Sequence, residues 1–508
     1  MTSPSPALSR GRAAYGFAVA AAILAALTAV RLIGLKLSTV DLFFDEAQYW
    51  AWSRELAFGY FSKPPLLAWI IAATDPLCGS GEACVRSASP VLYLGTGLLA
   101  YATARELYDA QTAFWTALTL ALATGVIFST RIISTDVPLL FCWALALLAY
   151  VKLLRGPDWR WALTLGIALG LGLLAKYAMA YFLLGVAVAA AFDRSARVLL
   201  RNPQVWVALA VAVLMLAPNV VWNISNGFIT LKHTGDNISG GGLDFRPLKA
   251  LEFVLSQFAV FGPLLFAGFL AILVRAGRAQ FGRKDRLMLA FAIPPLAIVT
   301  ALAFFRGANA NWAAPAFISA VILVTAVWVR QHRWRWIQAT LAIGAAVQVT
   351  LLIGDAMAYR ITLPVLGPKA DLYQRTLGWR GLGEAVRSRA REAGAPTIAA
   401  EGRAELASLT YYLRDEPRRV VSWPAGAQAH SQFDITQGLD AKAAEPVLFV
   451  SQCPFTARLL RYYRNVTPLG QFKASSGPSS GRSYDVFKLA GRSGPLGPLG
   501  PCVAAPPG

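Results

Sequence analysis

The chain has 508 residues, of which 56% are hydrophobic and only 15% are charged. Because an ordinary soluble domain has about 25% charged residues, this composition argues against a water-soluble protein and indicates a membrane protein. The formal net charge of +20 does not indicate nucleic-acid binding, since the basic residues occur in short clusters between long apolar runs.

A transmembrane helix needs roughly 20 predominantly apolar residues. Apolar runs of roughly this length predict an all-α polytopic membrane protein with about eleven spans. The first run is followed by further spans and lacks a small-residue cleavage site, so we expect an anchor and not a removed signal peptide. The predicted spans are residues 13–35, 86–104, 111–130, 137–151, 160–175, 177–192, 204–222, 251–274, 287–305, 312–329 and 336–357.

The basic residues predict the orientation of these spans. Arg10 and Arg12 precede the first span, which places the N-terminus in the cytoplasm by the positive-inside rule. Every later basic cluster of the membrane part then falls in a cytoplasmic turn, and the odd number of spans places the C-terminal segment on the periplasmic side. The clusters are Arg105; Lys152, Arg155 and Arg160; Arg194, Arg197 and Arg201; Arg275, Arg278, Arg283, Lys284 and Arg286; and Arg330, Arg333 and Arg335.

The character of the sequence changes after the last predicted span. Residues 1–366 are predicted to form the membrane domain. Residues 367–490 alternate helical and strand-like stretches such as "ELASLTYYL" and "PVLFVS", which predicts a small α/β domain outside the membrane. Residues 491–508 are rich in glycine and proline and are predicted to be a disordered tail.

Two cysteines lie close together in the first outer loop. Cys78 and Cys84 flank "GSGEA", in a compartment where a disulfide can persist. A disulfide and two separate thiols both stay open, and no neighbouring residues suggest a metal site. Cys142 lies inside a predicted span, where we expect it to be inert packing.

The polar and aromatic motifs lie on one side of the membrane. The first outer loop, "DLFFDEAQYWAWSRELAFGYFSKPPLLAW", contains the adjacent acids Asp45 and Glu46 and the cation Lys63. The cytoplasmic turns are short and merely basic. The motifs of the other outer loops are "STRIISTDVP", "LLAKYAMAYF", "APNVVWNISNGFITLKHTGDNISGGG" and "FFRGANANWAAP".

This placement favours a reaction on the outer face with a donor carried in the membrane, because ATP and nucleotide sugars do not reach that side. A polyprenyl-phosphate sugar meets this requirement. Transfer would need a carboxylate that accepts a proton from the acceptor hydroxyl and a cation that stabilises the departing phosphate. Aromatic faces suit the C–H surfaces of a sugar.

"DEAQYW" followed by "SKPPLLAW" resembles the first outer loop of the GT-C glycosyltransferases that use dolichyl- or polyprenyl-phosphate sugars. These include protein O-mannosyltransferases and the bacterial transferases that add aminoarabinose or galacturonic acid to lipid A. "RIISTDVPLLFCWAL", "GLLAKYAMAYFLL", "HTGDN", "NWAAPAF", "AELASLTYYL" and "SQFDIT" are most similar to the galacturonosyltransferase-like branch of alphaproteobacteria. The resemblance covers nearly the whole chain and implies a GT-C fold with interfacial helices in the first periplasmic loop.

The resemblance implies roles for four residues. Asp45 matches the catalytic base, and Glu46 is its neighbour. Lys63 matches the lysine that contacts the donor phosphate, and Asp136 matches an aspartate of the second loop that supports the site.

Two departures bear on substrate and metal. Gln48 stands where the aminoarabinose transferases have an arginine, and Ser62 stands where they have a glutamate that is linked to metal. The departures count against both an aminoarabinose substrate and a bound metal. No cofactor is predicted, and a divalent metal is not indicated.

Each candidate also has a purely structural interpretation. Asp45 and Glu46 could be solvated acids at the start of an interfacial helix, and Lys63 could extend to the interface from a helix end. Asp136 or Thr135 could cap the next span, with Pro138 in its first turn.

Further candidates come from the other outer loops. Arg131 and Lys176 are predicted to bind the donor phosphate, with an ordinary interfacial charge as the alternative for each. An isolated His233 is a weak metal ligand and a better sugar or phosphate contact. The residues predicted to contact the sugar or the acceptor are Tyr49, Trp50, Tyr177, His233, Asn237, Asn309, Asn311 and Trp312.

The sequence therefore predicts an inverting glycosyltransferase of the bacterial inner membrane, with its active site facing the periplasm. Its predicted partners are a polyprenyl-phosphate-linked sugar donor, a lipid A, lipopolysaccharide-core or other glycolipid acceptor, and membrane lipids, but no nucleic acid. The alternatives are a protein O-glycosyltransferase, a transporter or flippase of a lipid-linked sugar, and a non-catalytic assembly factor. A transporter would be expected to show two repeats with polar residues near mid-membrane, and the sequence shows neither.

Overall fold

The computed structural model describes residues 15–239, 244–276, 281–362, 371–424, 426, 428–440, 442–477 and 479–500. Within these residues the chain divides into two compact units. The larger unit runs to Lys36 and includes Lys63–Ile70 and Arg86–Leu352. The smaller unit includes Leu37–Ser62, Ile71–Val85 and the chain from Ile353. Parts of the first outer loop therefore belong to the same unit as the C-terminal segment.

The first three quarters of the chain are almost entirely helical. In the described part of this region, two short 3₁₀ turns, Tyr177–Ala180 and Ala310–Ala313, interrupt the α-helices. The α-helices are α1 (Phe17–Leu37), α2 (Phe44–Arg54), α3 (Leu66–Cys78), α4 (Glu82–Leu107), α5 (Ala110–Ala121), α6 (Thr124–Ser129), α7 (Asp136–Leu153), α8 (Trp159–Ala175), α9 (Tyr181–Phe192), α10 (Arg194–Leu200), α11 (Pro203–Ser225), α12 (Ile229–Ser239), α13 (Pro247–Val260), α14 (Pro263–Ala276), α15 (Arg283–Arg306), α16 (Pro315–Arg330) and α17 (Trp334–Ala356).

Within the described residues, five helices are long and apolar enough to cross a membrane, namely α1, α7, α11, α15 and α17. The hydrocarbon core of a membrane offers no hydrogen-bond partners. A helix can cross it because its backbone N–H and C=O groups bond to each other. Shorter apolar helices, among them α8 and α16, coincide with further predicted spans. The fold is therefore largely helical and of the membrane type, and α2 and α3 are the two helices of the first outer loop. The number of eleven spans stays a prediction.

Two predicted spans are wrong as single helices, because each is divided into two. The predicted span 111–130 is interrupted after Ala121, whose carbonyl accepts a hydrogen bond of 2.6 Å from Nη2 of the buried Arg31. The predicted span 251–274 is interrupted at Gly262, which has φ of +103° and is followed by Pro263 at the start of α14. Glycine adopts this backbone conformation without the strain that a side chain would cause.

The helices of the larger unit approach each other closely. A Cβ atom on Gly166 of α8 would lie 2.5 Å from the carbonyl oxygen of Ala208 on α11, so only glycine fits at this contact. Small residues at such contacts are typical of helix packing in membranes. On the buried helix α7, the ring of Trp143 lies 5.2 Å from that of Phe182, which lies 4.8 Å from the ring of Phe291.

The C-terminal part of the smaller unit is a mixed sheet with helices, as predicted for a small α/β domain. In the described residues, the strands lie in the order β2-β1-β3-β5-β4. Strand β1 is parallel to β2 and β3, whereas β5 is antiparallel to β3 and β4. The elements are α18 (Trp379–Glu392), β1 (Thr397–Ala400), α19 (Arg403–Tyr412), β2 (Arg419–Ser422), α20 (Gln432–Thr436), β3 (Val447–Ser451), α21 (Thr456–Leu459), β4 (Tyr463–Ser476) and β5 (Ser479–Arg492).

The core of this domain lies against the central strands. Every residue of β1 and β3 is buried, which explains why both read as continuous apolar or small-residue runs in the sequence. The ring of Trp423 lies 5.0 Å from that of Phe449 on β3, and Phe487 of β5 packs in the same cluster.

The prediction of a disordered tail from residue 491 is wrong for its first ten residues. Strand β5 continues to Arg492, and the next eight residues pack on the domain without regular structure. Nε1 of Trp423 donates to the carbonyl oxygen of Gly497 at 3.0 Å, and Leu499 is only 4% exposed. Apolar contacts therefore order this glycine- and proline-rich segment. Residues 501–508 lie outside the described residues.

The two cysteines of the first outer loop form a disulfide. Cys78 ends α3 and Cys84 lies in the first turn of α4, with their Cα atoms 5.6 Å apart. The bond closes the "GSGEA" turn between the two helices. Cys142 is a buried free cysteine on α7, as expected.

The contact at Gly166 generates a testable prediction. We expect Gly166→Ala to lower the thermal unfolding midpoint of the detergent-solubilised protein, because the added methyl group would collide with the backbone of α11. Overpacking of this kind costs about 1–3 kcal/mol. The matched control is Gly156→Ala, since a Cβ there has no atom within 4 Å. Equal midpoints for both variants would contradict the close contact between α8 and α11.

Candidate active site

The predicted base lies at the start of α2, which begins at Phe44. Glu46 is 2% exposed, and its Oε2 accepts a hydrogen bond of 3.0 Å from the backbone N–H of Phe43. This bond satisfies one of the backbone donors that a helix start leaves without a partner. Glu46 is therefore a buried helix-start residue, not a solvated acid, and it fixes the first turn that presents Asp45.

Asp45 forms an ion pair with an arginine of the C-terminal domain. Oδ1 of Asp45 lies 2.7 Å from Nη1 of Arg403, and the same nitrogen donates to Oε1 of Gln48 at 3.2 Å. The Arg403 guanidinium lies over the ring of Phe44 at 4.9 Å. We call Phe44, Asp45, Gln48 and Arg403 the Asp45 cluster. The side chain of Asp45 is 36% exposed, and within the described residues its Oδ2 accepts no hydrogen bond.

Helix α2 is held by its packing on α19. The ring of Trp50 meets that of Tyr411 edge-on at 5.0 Å. The hydroxyl of Tyr412 accepts a hydrogen bond of 2.9 Å from the backbone N–H of Leu42, just before α2. The Asp45 cluster is therefore part of a packed structure, although its residues come from opposite ends of the chain.

A second acid stiffens the segment before α2. Asp41 is fully buried, and its Oδ2 accepts hydrogen bonds from the hydroxyl of Tyr359 at 2.7 Å and from the backbone N–H of Arg380 at 3.2 Å. Burial raises the pKa of the Asp41 carboxyl, and the bond from Tyr359 partly opposes that rise. Asp41 has no exposed surface through which it could contact a substrate, so its role is structural.

The larger unit contains a separate polar cluster around Asp136. Oδ1 of Asp136 lies 2.6 Å from Nζ of Lys176, and Oδ2 accepts a hydrogen bond of 2.5 Å from Nδ2 of Asn311. Lys176 lies just after the end of α8, and Asn311 lies in the 3₁₀ turn before α16. We call these three residues the Asp136 cluster. The capping interpretation is wrong, because α7 begins at Asp136 and Thr135 makes no side-chain cap.

Tyr177, next to Lys176, is held by two amides. Its hydroxyl donates to Oδ1 of Asn219 at 2.9 Å and accepts a hydrogen bond of 3.4 Å from Nδ2 of Asn223. Both asparagines are almost fully buried on α11. The two asparagines hold Tyr177 in a fixed orientation, which leaves its predicted role as a sugar contact untested.

The structure gives two predicted sugar-binding residues a packing role. Tyr49 is 6% and Trp50 is 5% exposed. The ring of Tyr49 packs edge-on against Trp52 at 5.4 Å, and Trp50 packs against Tyr411. Both rings are therefore packed against other aromatic rings, and their predicted contact with the sugar or the acceptor stays a prediction.

The other predicted residues are not members of these two clusters. Lys63 is half-buried in the turn before α3. Arg131 is also half-buried, with its guanidinium 5.4 Å from the ring centre of Phe128. His233 is half-buried on α12, Asn309 is exposed and Trp312 is half-buried. Asn237 lies on α12, but its side chain is outside the described part of the structure.

The arrangement can support proton transfer and anion binding. Asp45 offers one oxygen held by Arg403 and one accessible oxygen, as a general base requires. The oxygens of Asp136 take an ammonium and an amide as partners, so the chemistry of that cluster needs no metal to satisfy it. Among the described residues there is no group of three or more histidine, cysteine or acidic side chains arranged to hold a metal ion.

Two charged residues were missed by the sequence interpretation. Arg403 opens a helix in a distant domain, and no local signal connects it with Asp45. Arg86 is 2% exposed on α4 of the larger unit. The sequence alone could have pointed to Arg86, because an arginine inside an apolar helix is a functional candidate by default.

Residues 62–222 match a family model described as dolichyl-phosphate-mannose-protein mannosyltransferase. Over 465 residues, the chain is 30% identical to the lipid A galacturonosyltransferase RgtD of Rhizobium johnstonii, covering 91% of this chain and 95% of RgtD. The chain belongs to the RgtD family of glycosyltransferases. This result confirms the predicted resemblance to the galacturonosyltransferase-like branch, and it identifies the chain as a sugar-transferring enzyme.

Other comparisons agree with this family. The chain is 27% identical over 277 residues to the lipopolysaccharide core galacturonosyltransferase RgtA of Rhizobium johnstonii, covering 52% of this chain and 55% of RgtA. The crystal structure of ArnT from Cupriavidus metallidurans bound to undecaprenyl phosphate superposes with a TM-score of 0.65 at 18% identity, covering 94% of this chain and 99% of ArnT. This RgtD-family enzyme therefore has the ArnT-like GT-C fold over nearly its whole length.

The Asp136 cluster generates a stability prediction. Lys176→Met should leave the Asp136 carboxylate without its cation in a buried position, and breaking a buried pair in this way costs about 3–5 kcal/mol. Adding Asp136→Asn should recover most of the loss, because the neutral amide no longer needs a cation. Thermal unfolding of the purified variants measures both effects. If the double variant is no more stable than Lys176→Met, the proposed dependence of Asp136 on Lys176 does not hold.

Proposed function

We propose that this RgtD-family enzyme moves galacturonic acid from a polyprenyl-phosphate donor to lipid A or the lipopolysaccharide core. The alignment with a lipid A galacturonosyltransferase over 91% of the chain carries the proposal. Further support comes from the ArnT structure that holds undecaprenyl phosphate in the same fold. The accessible carboxylate in the Asp45 cluster fits the chemistry of the transfer.

Asp45 is proposed as the general base. The acceptor hydroxyl donates its proton to Oδ2 of Asp45 while its oxygen attacks the anomeric carbon of the donor. The bond between that carbon and the phosphate oxygen breaks, and polyprenyl phosphate leaves with the electron pair. Because one displacement occurs and one base is used, the configuration at the anomeric carbon inverts.

The leaving phosphate needs positive charge. Lys63, Arg131 and Lys176 were the predicted cations, and Lys176 is now engaged with Asp136. We assign the phosphate contact to Lys63, because it matches the lysine that contacts the donor phosphate in the related enzymes, with Arg131 as a second cation. The Asp136 cluster is proposed to fix the turn at Asn311 and the end of α8, and thereby to support the site.

We further propose the topology in which eleven spans place the N-terminus in the cytoplasm and the active site in the periplasm of a bacterial inner membrane. One-sided basic turns support this orientation. The disulfide between Cys78 and Cys84 in the first outer loop also suits an oxidising compartment. Residues 1–366 would be the membrane domain, and residues 367–490 together with the packed residues 491–500 would be the periplasmic domain.

Mass spectrometry of lipid A and core oligosaccharide tests the function. A strain that lacks this chain should lose one hexuronic acid from one of these molecules, and the wild-type gene should restore it. An unchanged profile would contradict the proposed acceptor. A loss of sugar from periplasmic protein would instead favour a protein O-glycosyltransferase, which the mannosyltransferase family model also covers.

The base is tested with Asp45→Asn, which keeps the shape of the side chain and can still accept a hydrogen bond from Arg403. We expect transfer to fall by about 100-fold or more, because the amide cannot take the proton. Binding of polyprenyl phosphate should persist, and the wild-type product should have inverted configuration. The control is Asp415→Asn on an exposed residue of the smaller unit. Full activity of Asp45→Asn would exclude Asp45 as the base.

A further inference from the structure

Arg403 presents an unused edge next to the proposed base. Its Nη1 holds Asp45 and Gln48, whereas its Nε and Nη2 make no hydrogen bond within the described residues. The side chain is 39% exposed, so this edge can be reached from solvent. An arginine that only stabilised the fold would not need to keep two donors accessible beside a catalytic carboxylate.

The plane of this guanidinium is fixed from two directions. The ring of Phe44 lies against it at 4.9 Å, and the ion pair with Asp45 fixes one end. Arg403 is also the first residue of α19, which packs on α2. A planar arginine with a fixed orientation is well suited to bind an oxyanion through two parallel hydrogen bonds.

The donor contains two such oxyanions, the phosphate and the carboxylate of a uronic acid. In an inverting displacement, the base and the leaving phosphate lie on opposite sides of the anomeric carbon. A cation paired with Asp45 therefore lies on the side away from the phosphate. The carboxylate carbon of the sugar is bonded to C5 and lies three bonds from the anomeric carbon. The carboxylate can therefore lie beside the base.

We infer that Arg403 determines specificity for a uronic acid, by binding the carboxylate of the donor sugar through Nε and Nη2 while Nη1 holds Asp45. The inference rests on the proposed function, since it assumes a sugar donor and Asp45 as the base. It assigns this subsite to the smaller unit. A neutral hexose would leave the two donors without their anion, and such a mismatch discriminates against the wrong substrate.

The test uses the full-length purified enzyme and two synthetic polyprenyl-phosphate donors, galacturonosyl and galactosyl, with the same lipid acceptor. The wild type should prefer the galacturonosyl donor. We expect Arg403→Gln to lower the ratio of kcat/KM for the galacturonosyl donor to kcat/KM for the galactosyl donor at least tenfold. Arg403→Lys should lower this ratio less, because lysine keeps the positive charge. The control is Arg414→Gln, since Arg414 also lies against an aromatic ring, 4.4 Å from the ring centre of Tyr411, but among the described contacts makes none with Asp45.

The outcomes distinguish a failure of the proposed function from a failure of the inference about Arg403. A wild type that transfers neither sugar would remove the proposed function and this inference with it. A wild type that transfers galacturonic acid, with an equal loss on both donors in Arg403→Gln, would keep the function and reduce Arg403 to positioning Asp45. Weaker binding of sugar-free undecaprenyl phosphate by Arg403→Gln would show that the phosphate is its ligand, which also overturns the inference. Unfolding midpoints of Arg403→Gln and Arg403→Lys confirm that both variants are folded.

Discussion

The ion pair between Asp45 and Arg403 is the contact on which the proposed chemistry depends, and it joins residues 358 positions apart in the chain. A loop between two membrane spans would ordinarily leave its acids mobile in water. Here α2 is fixed by Glu46 at its start and by Tyr411 of α19 along its side. The C-terminal domain therefore contributes directly to the geometry of the proposed base, although the motif that contains Asp45 lies near the N-terminus.

The larger unit meets a different constraint, because its apolar interior makes every unpaired polar group costly. Asp136 is paired with Lys176 and Asn311, and Tyr177 is paired with Asn219. Each of these side chains comes from a segment next to a helix end or from a helix that contains proline. Pairing stabilises the irregular backbone at these positions, and it joins Lys176 to Asp136.

Short-range patterns predicted most of the fold. Apolar length located α11 and α17 to within a few residues, and alternation of helical and strand-like stretches predicted the C-terminal sheet. The interruption at Gly262 had a local signal in the Gly-Pro pair. The interruption after Ala121 had no such signal, and the partner of the Ala121 carbonyl is Arg31 on another helix. Asp45 could be recognised from its motif, whereas its partner Arg403 could not, since only the tertiary fold brings them together.

The two oxygens of Asp45 have different environments, and this difference bears on the reaction type. Oδ1 is held by Arg403, so the carboxylate cannot easily rotate, while Oδ2 has no partner in the described residues. A base needs only one accessible lone pair aimed at the acceptor hydroxyl. The ion pair at Oδ1 and the stacking of Arg403 on Phe44 keep the carboxylate in one orientation while Oδ2 stays accessible. The geometry therefore offers one accessible oxygen at a fixed position, which suits the proposed role of Asp45 as a general base.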